Sequence, residues 1–337
     1  MKAVTYSSRG ASDVLTVIDR DEPHPGAGEV RVRIHVSAVN PTDWKARRSG
    51  GALDQPQVPN QDGAGVIDEV GEGVEDLRPG DRVWVWDAAY RRPDGTAQEL
   101  VVLPRRQVVV LPETASFDLG ASLGIPALTA HHALAASAQG PSELAAGSLA
   151  GRTVLVAGGA GAVGHAAIQL AVWAGATVIA TVSSPEKGAL ARAAGAHHVV
   201  DYTASDAAAQ ISALAPRGVD IVAEVNVAAN AALDAEVVGV NAVVASYADA
   251  PGADDVSIPI RPSMAKNIRW QFLLTYTITD EQKDAAVRAV AAAVADGALP
   301  VGEEHGLPIA RYALAETAQA HDAVEGGFVG KVLIDVV

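Results

Sequence analysis

The stretch TVLVAGGAGAVG, residues 153–164, decides how this chain is read. It opens as a short apolar run of the kind that buried strands show, and an Ala-rich helical pattern over residues 163–174 follows it. Between them, Gly159-Ala160-Gly161-Ala162-Val163-Gly164 fits G-x-G-x-x-G. The pattern alone is weak, and a structural turn in an Ala/Gly-rich chain is the plain alternative. A strand before it and a helix after it supply the context that favours dinucleotide binding. In that reading Gly159 permits the tight turn, Gly161 lets a pyrophosphate approach the backbone, and Gly164 lets helix and strand pack closely. The free N–H groups and partial positive charge of the helix start then face the phosphates.

Outward from this turn the chain alternates strand and helix. Strands are expected at 176–182, 197–202, 219–225, 242–247 and 268–276. Helices are expected at 185–194, 207–213 and 280–296. Such spacing implies parallel βαβ units. The end of the second strand bears on the cofactor. An NAD site normally has Asp or Glu there for the ribose 2′-hydroxyl. This chain instead reads Val182-Ser183-Ser184-Pro185-Glu186-Lys187. Two small hydroxyl donors and a cation one helical turn on suit a 2′-phosphate, so NADPH is expected, with a solvated surface lysine as the plain alternative for Lys187. Glu186, early in a helix, is expected to point to solvent and favour the helix dipole.

The first third has a different texture. Residues 29–36 (EVRVRIHV) alternate with period two, residues 1–6, 63–70 and 82–86 are further strand runs, and Arg78-Pro79-Gly80-Asp81 is a turn signal. A helix-rich segment at 121–136 leads into the nucleotide-type region, and KVLIDVV at 331–337 has the strand character of the opening part. The chain is therefore expected to leave a β-rich domain, build an α/β domain and return. The assignment is 1–122 with 277–337 for the first and 123–276 for the second.

Composition narrows the function. With 337 residues, about two domains are expected. Forty acidic against 25 basic residues give a net charge of -15, which repels phosphate backbones and argues against nucleic acid. The absence of Cys removes disulfides, thiolate nucleophiles and thiolate zinc sites. The opening MKAVTYSSRG has no apolar signal core, and no apolar run reaches the ~18 residues of a membrane span, so a soluble cytoplasmic protein is expected. The nine His read blandly: His131 and His132, adjacent in a helix, point about 100° apart and do not share a metal comfortably. No G-x-S-x-G elbow supports a Ser-His-Asp hydrolase.

Further motifs carry a resemblance. Asn40-Pro41-Thr42-Asp43, Asp62-Gly63-Ala64-Gly65-Val66-Ile67, Pro79-Gly80-Asp81-Arg82-Val83, residues 124–130 (GIPALTA), 154–202, Met264-Ala265-Lys266 and Gly330-Lys331-Val332 run nearly end to end. Together they resemble the zinc-independent, zeta-crystallin-like quinone oxidoreductases of the medium-chain dehydrogenase/reductase superfamily. The resemblance implies a GroES-like β-rich catalytic domain plus a doubly wound Rossmann domain, with the active site in the cleft between them. By position it implies that Ala160, Gly161, Ala162 and Val163 hold the pyrophosphate, and that Ser183, Lys187 and Tyr202 surround the 2′-phosphoadenosine. Asn230, Ala245, Ser246 and Tyr247 would line the groove towards the nicotinamide, which Thr129 and the backbone of Leu274, Thr275 and Tyr276 would face. It also implies a homodimer through the Rossmann edge strand, here 268–276, whose apolar edge needs cover.

The chain departs from that pattern in places. Ala162 stands where the family usually has Gly, and Gln61 precedes Asp62 where zinc-binding relatives carry a His ligand. Trp44-Lys45 follow the Asn-Pro pair where the family often has Tyr. Without metal or thiolate, the expected chemistry is hydride delivery to an electron-poor carbon, with quinones favoured because their reduced product takes its proton from solvent. Asn40, Lys45 and Thr129 are the candidates for polarising the substrate oxygen, each with a bland alternative as a turn, surface or core residue. Asp62 is a candidate for orienting such donors, or simply a strand-edge carboxylate bonded to backbone. Trp44, Trp84, Trp86 and Tyr90 are candidates for an aromatic wall, or for core packing. Two other readings stay open: an enone or enoyl-thioester reductase, which needs a proton donor, and an NADPH-binding sensory or structural protein with little turnover.

Overall fold

The alternation at 29–36 becomes the strand Glu29–Val39, which buries Val30, Val32 and Ile34. The computed structural model describes residues 1–203, 206–248 and 255–337. Glu29–Val39 pairs antiparallel with Asp62–Val70, Leu100–Pro104 and Lys331–Asp335. The sheet runs Ile309–Ala313, Lys331–Asp335, Glu29–Val39, Asp62–Val70, Arg82–Val85, Val108–Val110. Val332 faces Val39, so the C-terminal strand does return to the opening domain. Inward aliphatics of five strands, among them Val32, Ile67, Val83, Val101 and Val108, form its core. Each fully buried Val or Ile of this kind contributes about 1.5–3 kcal/mol relative to exposure. Trp84 and Trp86 belong to the buried interior and do not form a wall.

This GroES-like unit is not purely β. Helix Pro41–Arg48 starts at Asn40, with Pro at the first turn and the Asp43 carboxylate accepting the Asn40 N–H at 2.7 Å. The sequence carries that start signal in Asn40, Pro41 and Asp43, although the Asn40 side chain makes no cap hydrogen bond here. A second helix, Thr317–Glu325, covers the C-terminal strands.

The Rossmann unit has six parallel strands in the order His198–Asp201, Thr177–Val182, Thr153–Ala157, Val219–Glu224, Val238–Ser246, Arg269–Phe272. Counted along the chain this is 3-2-1-4-5-6, the doubly wound order with its switch point beside the first strand. Leu155, Ile179, Val200, Val222 and Val244 sit in its buried core. The edge strand is shorter than the run 268–276. After Phe272 only the Leu273 N–H bonds Ser246, and Thr275–Thr277 turns into a 3-10 helix. Helices Val227–Val237 and Ile260–Lys266 lacked a clear sequence signal.

The two compact units are Met1–Ile125 with Pro308–Val337, and Pro126–Leu307. Residues 277–307 therefore join the nucleotide-type unit, which corrects the boundary at 277. The reason is packing: helix Asp280–Ala295 buries Ala285, Ala286, Ala289, Val290 and Ala293. Helix Ala162–Trp173 ties the segment beyond it through Trp173 Nε1 to Asp296 (2.8 Å) and Gln169 Nε2 to the Pro300 carbonyl (2.9 Å). Among the described residues, no helix is long and apolar enough to cross a membrane.

Candidate functional site

The glycine turn divides its labour differently from the motif reading. The left-handed residue is Gly158, at φ 68°, one position before the motif. Gly159 is a packing glycine, because a Cβ there would stand 2.8 Å from that of Ala180. Gly164 keeps its close-approach role, since its Cβ would fall 2.3 Å from the Gly158 oxygen. Around Gly161 the space is open: only the Gly158 carbonyl comes within 4 Å of its would-be Cβ, at 3.5 Å. Helix Ala162–Trp173 starts from Gly161 with no side-chain cap, leaving its first N–H groups available to an anion.

The second strand ends at Val182, just ahead of Ser183. Lys187 Nζ donates to Ser183 Oγ at 2.9 Å, and Ser184 caps helix Pro185–Ala193 by accepting the Lys187 N–H. Glu186 is exposed in the first turn, and hydrogen bonding by Ser184 holds its carboxyl below the usual range. Tyr202 N–H donates to the Val182 carbonyl at 3.0 Å, so Tyr202, Ser183 and Lys187 meet at one strand end. The ring of Tyr202 is exposed.

Of the remaining cofactor candidates, Ala245, Ser246 and Tyr247 lie at the carboxyl end of strand Val238–Ser246, Asn230 on helix Val227–Val237 and Thr129 on helix Phe117–Leu134. Ala245 and Ser246 lie opposite Ala223 and Glu224, and the Tyr247 N–H donates to the Glu224 carbonyl at 3.1 Å. Asn230 Nδ2 donates to Glu224 Oε1 at 3.0 Å. Thr129 and Thr275 share a buried hydroxyl–hydroxyl bond of 2.6 Å, while Leu274 is exposed beside a cavity of ≈ 380 Å³. Tyr276 is half-buried. The sequence did not point to the Glu224–Asp234 carboxyl pair. Both are buried and raised, by desolvation first, and Asp234 further by Glu224 itself. An apolar strand ending in Glu and a helix carrying Asp give no hint that they face each other.

In the first unit Asn40 is the hub of a buried charged cluster. Its Nδ2 donates to Asp62 Oδ2 at 2.7 Å, and its Oδ1 accepts from Lys331 Nζ at 2.7 Å. Lys331 Nζ lies 3.8 Å from Asp62, and both side chains are almost completely buried. Asp62 also accepts the Ile125 N–H at 2.9–3.0 Å. Pro126 inside helix Phe117–Leu134 has no N–H and crowds the preceding turn, and the neighbouring amide is satisfied by Asp62. Gly124 makes room, since a Cβ there would fall 2.0 Å from Asp62 Oδ1. Burial lifts Asp62 to about 6, against the pull of Lys331, and lifts Asp43 to about 8. Burial likewise lowers the Lys331 ammonium. Asp62 thus both orients Asn40 and bonds backbone.

Lys45 is half-buried on helix Pro41–Arg48, as is Trp44. Beside that helix lies a cavity of ≈ 370 Å³ lined by Tyr6, Arg9, Asp43, Gln61, Arg91 and Arg92 among others. Gln61 turns its Oε1 to the Ala89 N–H at 3.0 Å. Sequence reasoning missed Tyr6 and Arg9, which sit at the end of the first strand, outside any motif. His131 is a core residue: it accepts the Leu144 N–H at 3.1 Å, and burial lowers it to about 4.

A GroES-like unit joined to a 3-2-1-4-5-6 parallel sheet with an uncapped glycine turn defines an oxidoreductase of the medium-chain dehydrogenase/reductase class. Residues 26–113 match the model of the alcohol dehydrogenase GroES-like domain, and residues 162–292 that of the zinc-binding dehydrogenase. The quinone oxidoreductase of Mus musculus is 30% identical over 350 residues, covering 99% of this chain and 97% of that protein. That of Rattus norvegicus is 29% identical over 345 residues, with the same coverage. A quinone oxidoreductase structure from Pseudomonas syringae pv. Tomato DC3000 superposes with a TM-score of 0.81 at 27% identity, over 99% of both chains. A mycobacterial protein solved in complex with NADPH does so with 0.81 at 28%, again over 99% of both chains. The chain belongs to the quinone oxidoreductase branch of that superfamily.

Proposed function

We propose that the chain is an NADPH-dependent, zinc-free reductase of quinones or related electron-poor alkenes. The observation that carries the cofactor choice is the Ser183–Lys187 pair at the end of the second Rossmann strand, where a 2′-phosphate would meet a cation and a hydroxyl. The open space at Gly161 and the uncapped helix start fit a pyrophosphate. The related mycobacterial structure with NADPH supports the same reading. When bound, NADPH would supply a hydride from its nicotinamide C4, two electrons and one hydrogen, and the acceptor would take up one proton besides.

Zinc does not fit the corresponding residues. Gln61 spends its amide oxygen on Ala89, Asn40 its own on Lys331, and the Lys331 ammonium puts positive charge where a cation would have to approach. Among the described residues, no three His, Cys, Asp or Glu cluster as ligands. Asn40 is then a positioning residue, its amide held between Asp62 and Lys331, while Thr129, backed by Thr275, is the hydroxyl that faces the nicotinamide side. The edge strand Arg269–Phe272, with Phe272 and Met264 exposed near it, is our homodimer interface.

Steady-state oxidation of NADPH and NADH with an ortho-quinone, a simple enone and crotonyl-CoA tests the reading. NADPH-selective turnover of the quinone supports it. Turnover of crotonyl-CoA alone shifts the protein to thioester reduction, and tight NADPH binding with no acceptor reduced leaves a binding protein.

A further inference from the structure

The chain carries a net charge of -15, yet three arginines converge on the first-unit cavity. Their described hydrogen-bond partners are neutral. Arg9 donates to the carbonyls of Ala46 and Gly51, and lies in hydrogen-bonding reach of the Tyr6 hydroxyl. Arg92 donates to Gln107 Oε1 and the Val102 carbonyl. Arg91 lies over the Tyr90 ring at 5.3 Å. Two carboxyls share the lining. Asp43 is buried and titrates near 8, so it is largely neutral at physiological pH, which leaves the exposed Asp54 as the opposing charge. Glu29 and Asp94 favour the charged form of Arg92 from outside the cavity, and Asp94 is itself paired with Arg20 at 2.6 Å.

The loop that supplies Arg91 is held in an unfavourable conformation. Arg91 has φ 56° and Asp87, on the same loop, φ 52°, both in the left-handed region that non-glycine residues rarely occupy. Left-handed φ at two non-glycine residues costs backbone energy that the surrounding contacts must offset, and it fixes where Arg91 is presented to the cavity. Arg91, whose described contact is the Tyr90 ring, can hold a carboxylate through two parallel N–H bonds, while Arg9, with Nε and Nη1 on carbonyls, adds its positive charge.

We propose that this cavity takes the anionic group of the acceptor, so that the substrate class is a quinone or conjugated enone bearing a carboxylate, held by Arg9 and Arg91 with Tyr6 as a further donor. This rests on the reductase reading and narrows it. The charge contact then favours acidic acceptors over neutral ones of equal electrophilicity.

The test compares a naphthoquinone carboxylate with its methyl ester in wild type and in Arg9→Met and Arg91→Met. Thermal unfolding checks that each variant is folded, and Arg91, being exposed, is the variant least able to disturb the core. The ratio of kcat/KM for the acid over the ester should fall roughly tenfold to hundredfold in either variant, and Arg9→Lys should recover part of it. A ratio unchanged in both variants overturns the proposal. If neither acceptor is reduced, calorimetric binding of the same pair decides the point independently of turnover, with tighter acid binding lost in the variants expected. Competition by inorganic phosphate with no preference for the acid over the ester assigns the cavity to a free anion and also overturns it.

Discussion

Replacing Lys187 with Ala removes the cation that we assign to the 2′-phosphate while leaving the strand end intact. The side chain makes one described hydrogen bond, to Ser183 Oγ at 2.9 Å, and the helix cap rests on the Lys187 backbone N–H, which alanine keeps. Two unit charges about 4 Å apart interact by ~1 kcal/mol in water and ~4 kcal/mol at the effective dielectric of a protein surface. Lys187 is half-buried, so its bond to a doubly charged phosphate falls between those limits, near the ~1.5–3 kcal/mol of a charge-assisted hydrogen bond. That corresponds to about a tenfold to 150-fold loss in kcat/KM for NADPH. NADH has no 2′-phosphate and should change by less than about threefold. The assay is the initial rate of each cofactor at saturating quinone, with the dissociation constants of NADP and NAD measured by fluorescence quenching. An equal fall for both cofactors would refute the assignment and make Lys187 a structural residue of helix Pro185–Ala193. No change for either would put the 2′-phosphate elsewhere.

Three further outcomes are expected. Thr129→Val keeps the shape but deletes the hydroxyl bonded to Thr275, and should lower kcat about tenfold to hundredfold while NADPH affinity stays within about threefold; an unaltered kcat removes Thr129 from the chemistry. Asp43 titrates at about 8 in the fold against an ordinary 3.8, so its neutral form is the one the fold favours. Its contribution to stability is full below pH ~4 and is lost as pH rises through ~8, at a slope approaching 1.4 kcal/mol per pH unit for one proton. Asp43→Asn should flatten the pH dependence of urea unfolding in that window, and an unchanged slope there would contradict the assignment. Phe272→Glu should convert a dimer, at twice the 34.4 kDa chain, into a monomer in light scattering, whereas a monomeric wild type would discard the edge-strand interface.

Buried polar residues made the first unit harder to read than the second. Asn40, Asp43, Gln61 and Asp62 are largely hidden, yet each is an ordinary polar letter in the sequence, indistinguishable there from a turn or surface residue. The helix after Asn40 was legible from its cap, Pro and acid, but the run of strand signals on both sides masked it. The fourth Rossmann helix, Val227–Val237, mixes Ala with Asn and Asp and lacks a clear apolar period, so pattern alone did not separate it from a loop. The boundary at 277 failed for another reason: an Ala/Val helix has a buried face whichever unit it joins, and its partner is set by packing.

The sequence by itself determined what short-range geometry controls. A strand, a glycine turn and a helix are adjacent in the chain, so the phosphate cradle at 158–164 and the Ser183–Lys187 pair are fixed by steric and hydrogen-bond rules acting over a few residues. Even there the left-handed glycine lay one position earlier than the motif implied, because φ depends on how the turn packs. Tertiary structure alone decided the Asn40–Lys331 bond, which joins residues 291 positions apart, and the Thr129–Thr275 pair, 146 apart. It also decided the raised carboxyls of Asp43, Asp62 and Asp234, since a pKa follows desolvation and neighbouring charge. Those quantities exist only once distant segments have excluded water from the same volume.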